Sequence, residues 1–97
     1  MSARVGSDVN RALMAWVVGK VLELAAEQGV SARELASACN VSPSYWSVAR
    51  GRSSGVSVYV LCRAAKRLGL DPSDLLPSLD VYCQIRQSVL GSESGGV

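Results

Sequence analysis

VSARELASACNVSPSYWSVARG, from Val30 to Gly51, holds two helical patterns separated by a sharp break. Ser31 reads as a helix N-cap. Glu34 three residues on completes a capping box, in which the serine oxygen takes one orphan amide and the glutamate reaches back to another. The helix then presents Leu35, Ala36 and Cys39 to a core and breaks at Asn40, one of the few residues besides glycine that tolerates a left-handed backbone. After Val41, the pair Ser42-Pro43 predicts a second helix with a serine cap and a proline at the first helical position, where no amide hydrogen is needed. Helix, tight turn, helix is the geometry of a helix-turn-helix.

Upstream, residues 1–6 read as a flexible tail, followed by a helix capped at Ser7 or Asp8 and stopped by Gly29. Val9, Leu13, Trp16, Val17, Val21, Leu24 and Ala25 follow the three-four spacing of an amphipathic helix, with Met14, Val18 and Leu22 partly off that stripe. Gly19 in mid-helix marks either close packing or a weak spot. Downstream, Gly51 to Gly55 reads as a loop. Ser57 caps a helix over Val58 to Leu68 whose inner stripe is Val58, Leu61, Ala64 (or Ala65) and Leu68, ended by Gly69. Asp71-Pro72 starts a single turn with Leu75 and Leu76 facing inward. The helix-turn-helix domain is thus expected over residues 7–77. A last helix follows over 78–90, with Leu79, Tyr82, Ile85 and Val89 on one side, and a glycine-rich tail over 91–97.

Ninety-seven residues, 48% of them apolar, suit one small globular domain. With no Phe and few aromatics, aliphatic side chains and alanine must do the packing. Cys39, Cys62 and Cys83 form no CxxC pair, and there is no histidine, so no metal site and no cofactor are expected. All three thiols read as small buried hydrophobes in a reducing cytoplasm. The most apolar run, Ala12 to Val18, is too short to span a bilayer, so no membrane association is expected.

The net charge is only +2, but its distribution is uneven. Between Ser31 and Leu70, Arg33, Arg50, Arg52, Arg63, Lys66 and Arg67 face Glu34 alone. From Asp71 onward, Asp71, Asp74, Asp80 and Glu93 oppose only Arg86. A basic middle on the same stretch as the motif points to a polyanion-binding face.

From Val30 to Leu76 the chain resembles the Cro/C1-type (XRE-type) helix-turn-helix family of phage and bacterial repressors. The resemblance rests on SARELA at Ser31 to Ala36, VSPSYW at Val41 to Trp46, RGR at Arg50 to Arg52, LCRAAKRLGL at Leu61 to Leu70 and DPSDLL at Asp71 to Leu76. Together with the first helix it covers about three quarters of the chain. It implies an all-α, compact five-helix bundle of the lambda-repressor-like type, here with an added C-terminal helix. The third helix would lie in the major groove of DNA, usually as a homodimer on a palindromic operator.

Carried over residue by residue, Leu35, Ala36, Val41, Trp46 and Leu61 match packing positions. Ser42, Pro43, Ser44, Tyr45, Ser47 and Val48 fall on the reading face. Ser31 and Arg33 match the phosphate-abutting end of the second helix, and Arg50 and Arg52 fall where the reading helix meets the backbone. Arg63 and Lys66 are further phosphate candidates. The chain departs from the pattern at Ala32, where the family often has Gln, at Asn40, where it has Gly, and by about one residue fewer between Trp46 and Gly51. Base-edge discrimination mostly uses Arg, Lys, Asn or Gln, and Pro43, Ser44, Ser47 and Val48 offer none. Specificity is therefore expected to lean on Arg50 or Arg52, or on DNA shape and dimer spacing.

The expected function is a sequence-specific regulator of transcription that binds double-stranded DNA, in the first place a cytoplasmic repressor, phage-encoded or antitoxin-like. Leu79, Tyr82, Ile85 and Val89 are expected to form the dimer interface; the alternative for that segment is docking on its own bundle. The alternative function is a protein-interaction module that uses Tyr45, Trp46 and the last helix to bind another regulatory protein. No catalytic activity is expected: there is no histidine, no phosphate-binding glycine loop and no paired carboxylates.

Overall fold

A computed structural model of the protein describes residues 2–52 and 56–94, with side chains described for 6–50 and 56–91. The chain forms α1 (Ser2–Glu27), α2 (Ala32–Ala38), α3 (Tyr45–Arg52), α4 (Val58–Leu68), a 3₁₀ turn (Pro72–Leu75) and α5 (Leu79–Ser94). It is an all-α bundle, as the periodicity predicts.

The spine is α1. Its 26 residues rise roughly 39 Å at 1.5 Å each, most of the molecule's 45 Å length. It touches each of the other elements. The C-terminal half supplies Val17, Val18, Val21 and Ala25 to the main core, with Met14, Trp16, Leu22 and Leu24 packed at its margin. Val9 is buried as well, but apart from that core. Val18 is therefore central rather than off the stripe. A helix covered on more than one side has no single apolar face to read.

α1 also begins earlier than expected, at Ser2 instead of after Ser7, and α5 runs through Gly91 to Ser94. Both tails expected from the sequence are thus helical for part of their length. Once a helix exists, each added residue brings a hydrogen bond for one more pair of fixed dihedrals, so an end without proline extends readily. Met1 and residues 95–97 lie outside the described residues.

Gly19 is not a close-packing glycine, because a Cβ built there meets nothing within 4 Å. It is a weak spot in the spine. We expect Gly19→Ala to raise stability by about 1 kcal/mol in urea unfolding, since alanine restricts the unfolded chain and meets no clash.

The local signals around the motif are realised closely. Ser31 Oγ accepts from the Glu34 amide and Glu34 Oε1 from the Ser31 amide, each at 3.1 Å. Asn40 adopts φ +59°, and Gly29 and Gly69 turn the chain out of α1 and α4 at φ +73° and +71°. Asp71 and Asp74 form a second capping box on the 3₁₀ turn.

Hydrogen bonds from Ser31 hold the Glu34 carboxyl below its ordinary pKa, and the Ser73 hydroxyl and amide do the same for Asp71. A carboxylate whose folded pKa is depressed stabilises the fold above its unfolded pKa. That contribution is lost as the pH falls through the folded value. Thermal melting is therefore expected to be flat from neutral pH down to the ordinary carboxylate range and to fall below it. Glu34→Gln, which can still accept from Ser31, should flatten part of that acid limb.

The main core is closed by Leu35 and Ala36 of α2 with Cys39 at its C-cap, Trp46 and Ala49 of α3, Val60, Leu61, Ala64, Ala65 and Leu68 of α4, and Leu75. Four expected inward positions are outside it. Val58 is 76% exposed, because the buried face of α4 centres on Leu61, Ala64 and Leu68 and Val58 lies about 90° round the axis from it. Val60 takes the inner place instead. Leu76 is half-exposed: the backbone turns extended at that residue, so Leu75 and Leu76 cannot both face inward. Cys62 and Cys83 are exposed, and only Cys39 is buried.

α5 contacts α1 and no other element among the described residues. Its half-buried positions are Val81, Ile85, Val89 and Leu90, an i, i+4, i+8 stripe with one flanking residue. The four expected dimer residues therefore separate. Ile85 and Val89 belong to the half-buried side, whereas Leu79 (76% exposed) and Tyr82 stand outward.

Candidate nucleic-acid interface

The turn into α3 is the first place where the local chemistry departs from expectation. Ser42 to Tyr45 forms a hydrogen-bonded turn, with the Ser42 carbonyl accepting from the Tyr45 amide at 3.0 Å. The Ser44 carbonyl is the first of α3 to accept, from the Val48 amide at 2.9 Å. The capping place therefore falls on Ser44 rather than Ser42, and Pro43 occupies the second position of a turn, which its fixed φ suits equally well. α3 also continues through Gly51 to Arg52, so the glycine does not end it.

α3 is held by one side only. Trp46 is fully buried and Ala49 nearly so, i and i+3 on the face turned to α1 and α2. Tyr45 is half-buried, its ring packed edge-on against Trp46 with centroids 5.3 Å apart and planes at 84°, a favourable arrangement for aromatic pairs. Burial pushes the Tyr45 hydroxyl pKa up. Trp46 is thus a packing residue, unavailable to a partner.

Among the described residues, the Trp46 indole nitrogen finds no hydrogen-bond acceptor. Its neighbour is the Cys39 thiol, which donates instead to the Val60 carbonyl at 3.7 Å. Burial pushes that thiol's pKa up, against smaller opposing pulls from the indole N–H and the Arg63 guanidinium.

The opposite side of this unit is free. Ser42, Pro43, Ser44, Ser47, Val48 and Arg50 are all exposed. Ser31 and Arg33 are exposed in the first turn of α2. Ser31 is already engaged twice, its oxygen accepting and its amide donating within the capping box. The start of α2 therefore carries its own carboxylate, and the group free to meet an external anion there is the Arg33 guanidinium. Arg52 closes α3, and its side chain lies outside the described residues.

Two long-range side-chain contacts carry no sequence signal. Asn40 Nδ2 donates to the Tyr59 hydroxyl at 3.4 Å, tying the turn to the first turn of α4. Arg63 Nε donates to the Ala38 carbonyl at 3.1 Å and so caps the end of α2 from α4. Glu34 also lies near Arg67. These contacts run α2 and α4 side by side in opposite directions. Together with Ala38, the side chains of Arg63, Lys66 and Arg67 line a shallow groove of about 300 Å³ between the two helices.

That groove is separate from the α3 surface. α2 touches both α3 and α4, whereas α3 and α4 share no contact among the described residues. Ala38 lies five positions after Arg33, about 140° round the helix axis. The positive charge of the middle of the chain is therefore divided between two flanks of α2 instead of forming one face.

Compared with protein-family models, with curated proteins and with solved structures, the chain matches none. The functional reading of these surfaces rests on the residues themselves. Among the described residues, no helix is long and apolar enough to cross a membrane.

Proposed function

We propose that this chain is a sequence-specific double-stranded DNA-binding regulator of transcription, acting as a homodimeric repressor in the bacterial cytoplasm. The observation that supports this reading is the one-sided mounting of α3. Trp46 and Ala49 anchor it, and every described side chain from Ser42 to Arg50 outside the core, Tyr45 apart, stands free. A helix exposed in this way, packed against the α2 that carries Arg33 and bearing Arg50 in its last turn, suits entry into a major groove with phosphates on either side.

Arg33 and Arg50 neutralise phosphates, which makes binding salt-dependent. Arg50 is also the guanidinium nearest the reading face. The serines bond base edges, and Val48 and Pro43 touch thymine methyl groups. Two copies give the symmetry that a short and weakly selective reading helix needs. Leu76, Leu79 and Tyr82 supply an unpartnered apolar surface for the second copy.

Selection from a random duplex pool tests the reading. The expected product is a twofold-symmetric site whose half-sites lie about one helical turn apart. A pool that enriches no sequence over repeated rounds contradicts it.

A second reading, a module that binds a regulatory protein, is favoured by the exposure of Val58, Tyr59, Leu76, Leu79 and Tyr82. Trp46, being buried, plays no part in it. Under that reading the protein is not retained on bulk duplex DNA even at low salt.

A further inference from the structure

The groove between α2 and α4 is not absorbed by the DNA-binding reading. It opens on a different flank of α2 from α3, and beside Ala38 it is lined by the cations Arg63, Lys66 and Arg67, with the exposed Glu34 carboxylate near Arg67. None of the three is in a salt bridge; the one ion pair among the described residues joins Lys20 to Glu23. A helix places cations near its C-terminus to complement its dipole, and that accounts for Lys66 and Arg67 in the last turn of α4. It does not account for their convergence with Arg63 on a concavity.

The Arg63 side chain is held in place. Its Nε is spent on the Ala38 carbonyl, which fixes the guanidinium plane and leaves the two terminal nitrogens free. A fixed fork of two parallel donors matches a carboxylate in a two-point contact. The space is side-chain-sized and shallow, about 300 Å³. A duplex cannot enter such a depression, whereas glutamate and aspartate side chains can.

We propose that this groove is a second binding site, for a carboxylate-rich segment of a protein partner. Arg63 is its fixed two-point anchor, and Lys66 and Arg67 are the charges that hold neighbouring carboxylates. The site does not depend on α3, so a partner can occupy it whether or not DNA is bound.

The test is an NMR titration of the full chain with hexaglutamate at about 0.15 M salt, where long-range attraction between exposed charges is largely screened. The expected result is a saturable shift of the Ala38, Arg63, Lys66 and Arg67 amides and of the Arg63 Nε–H, with the amides of 42–50 unmoved. The exposed double substitution Lys66→Gln, Arg67→Gln should weaken hexaglutamate about tenfold or more, since each lost charge-assisted contact is worth about a factor of ten. Three outcomes overturn the proposal: no shift at these residues in the parent chain; an equal response to inorganic phosphate at matched charge; or a response at these residues to a DNA duplex but not to hexaglutamate.

Discussion

Trp46→Ala is expected to remove about 3–5 kcal/mol of stability, the usual cost of deleting a fully buried tryptophan side chain. The residue is the largest of those with no exposure, and Ala49 is the one other described core residue of its helix. α3 contributes Trp46 and Ala49 to the core and little else. Truncation leaves a cavity where α1, α2 and α3 meet, and α3 loses the side chain that sets its rotation. In a domain whose total stability is on the order of 5–15 kcal/mol, the variant should melt about 15–30 °C lower or fail to fold at all.

Trp46→Phe separates packing from hydrogen bonding. Among the described residues the indole N–H meets no oxygen or nitrogen acceptor and has only the Cys39 thiol beside it, so its loss removes little hydrogen bonding. The phenylalanine variant should therefore cost distinctly less than the alanine one in the same urea titration. A Trp46→Ala variant within 1 kcal/mol of the parent would contradict the one-sided anchoring of α3.

Much of this architecture can be read from short-range rules. Ser31 with Glu34, Ser57, Asp71 with Asp74, Gly29, Gly69 and Asn40 each act within a few residues of themselves, and each appears in the structure as its local chemistry demands. Where packing against a second element decides, the sequence is a poorer guide. Val18 is central because α1 is covered on more than one side, Val60 replaces Val58 because α2 flanks that edge of α4, and Tyr82 stands outward because α5 packs on α1 through Val81, Ile85 and Val89. Start and stop points shift for a related reason. Pro43 serves a turn as well as a helix start, and nothing short-range distinguishes the two.

The candidate site shows the same division. That Ser42 to Arg50 would stand out from the core follows from the positions of Trp46 and Ala49, three apart. That Arg63 would be drawn onto the Ala38 carbonyl does not follow from any spacing, because it depends on how α4 crosses α2. Charge counted along the chain suggested one basic face, but the fold distributes it over two.

The second large effect concerns the arginines beside α3. Arg33 and Arg50 are exposed and, among the described residues, in no salt bridge, and under the DNA-binding reading each meets a phosphate. Removing a phosphate contact lowers the slope of log affinity against log salt by about one. It also weakens binding at low salt about tenfold, the worth of a charge-assisted hydrogen bond. The substitutions sit on different elements, and neither side chain is part of the core, so their effects should add. Lys66→Gln and Arg67→Gln, on the other flank of α2, serve as the matched control: they remove the same charge and should leave the slope nearly unchanged.

The most direct test of a DNA-binding α3 surface is therefore fluorescence anisotropy of a labelled duplex, titrated with protein at several salt concentrations. The Arg33→Ala, Arg50→Ala double variant is compared with the Lys66→Gln, Arg67→Gln variant of equal net charge. The expected result is a salt slope lower by about two and affinity lower by about a hundredfold for the first pair, with little change for the second. Equal losses from both pairs, or no duplex binding by the parent protein at any salt concentration, would contradict it.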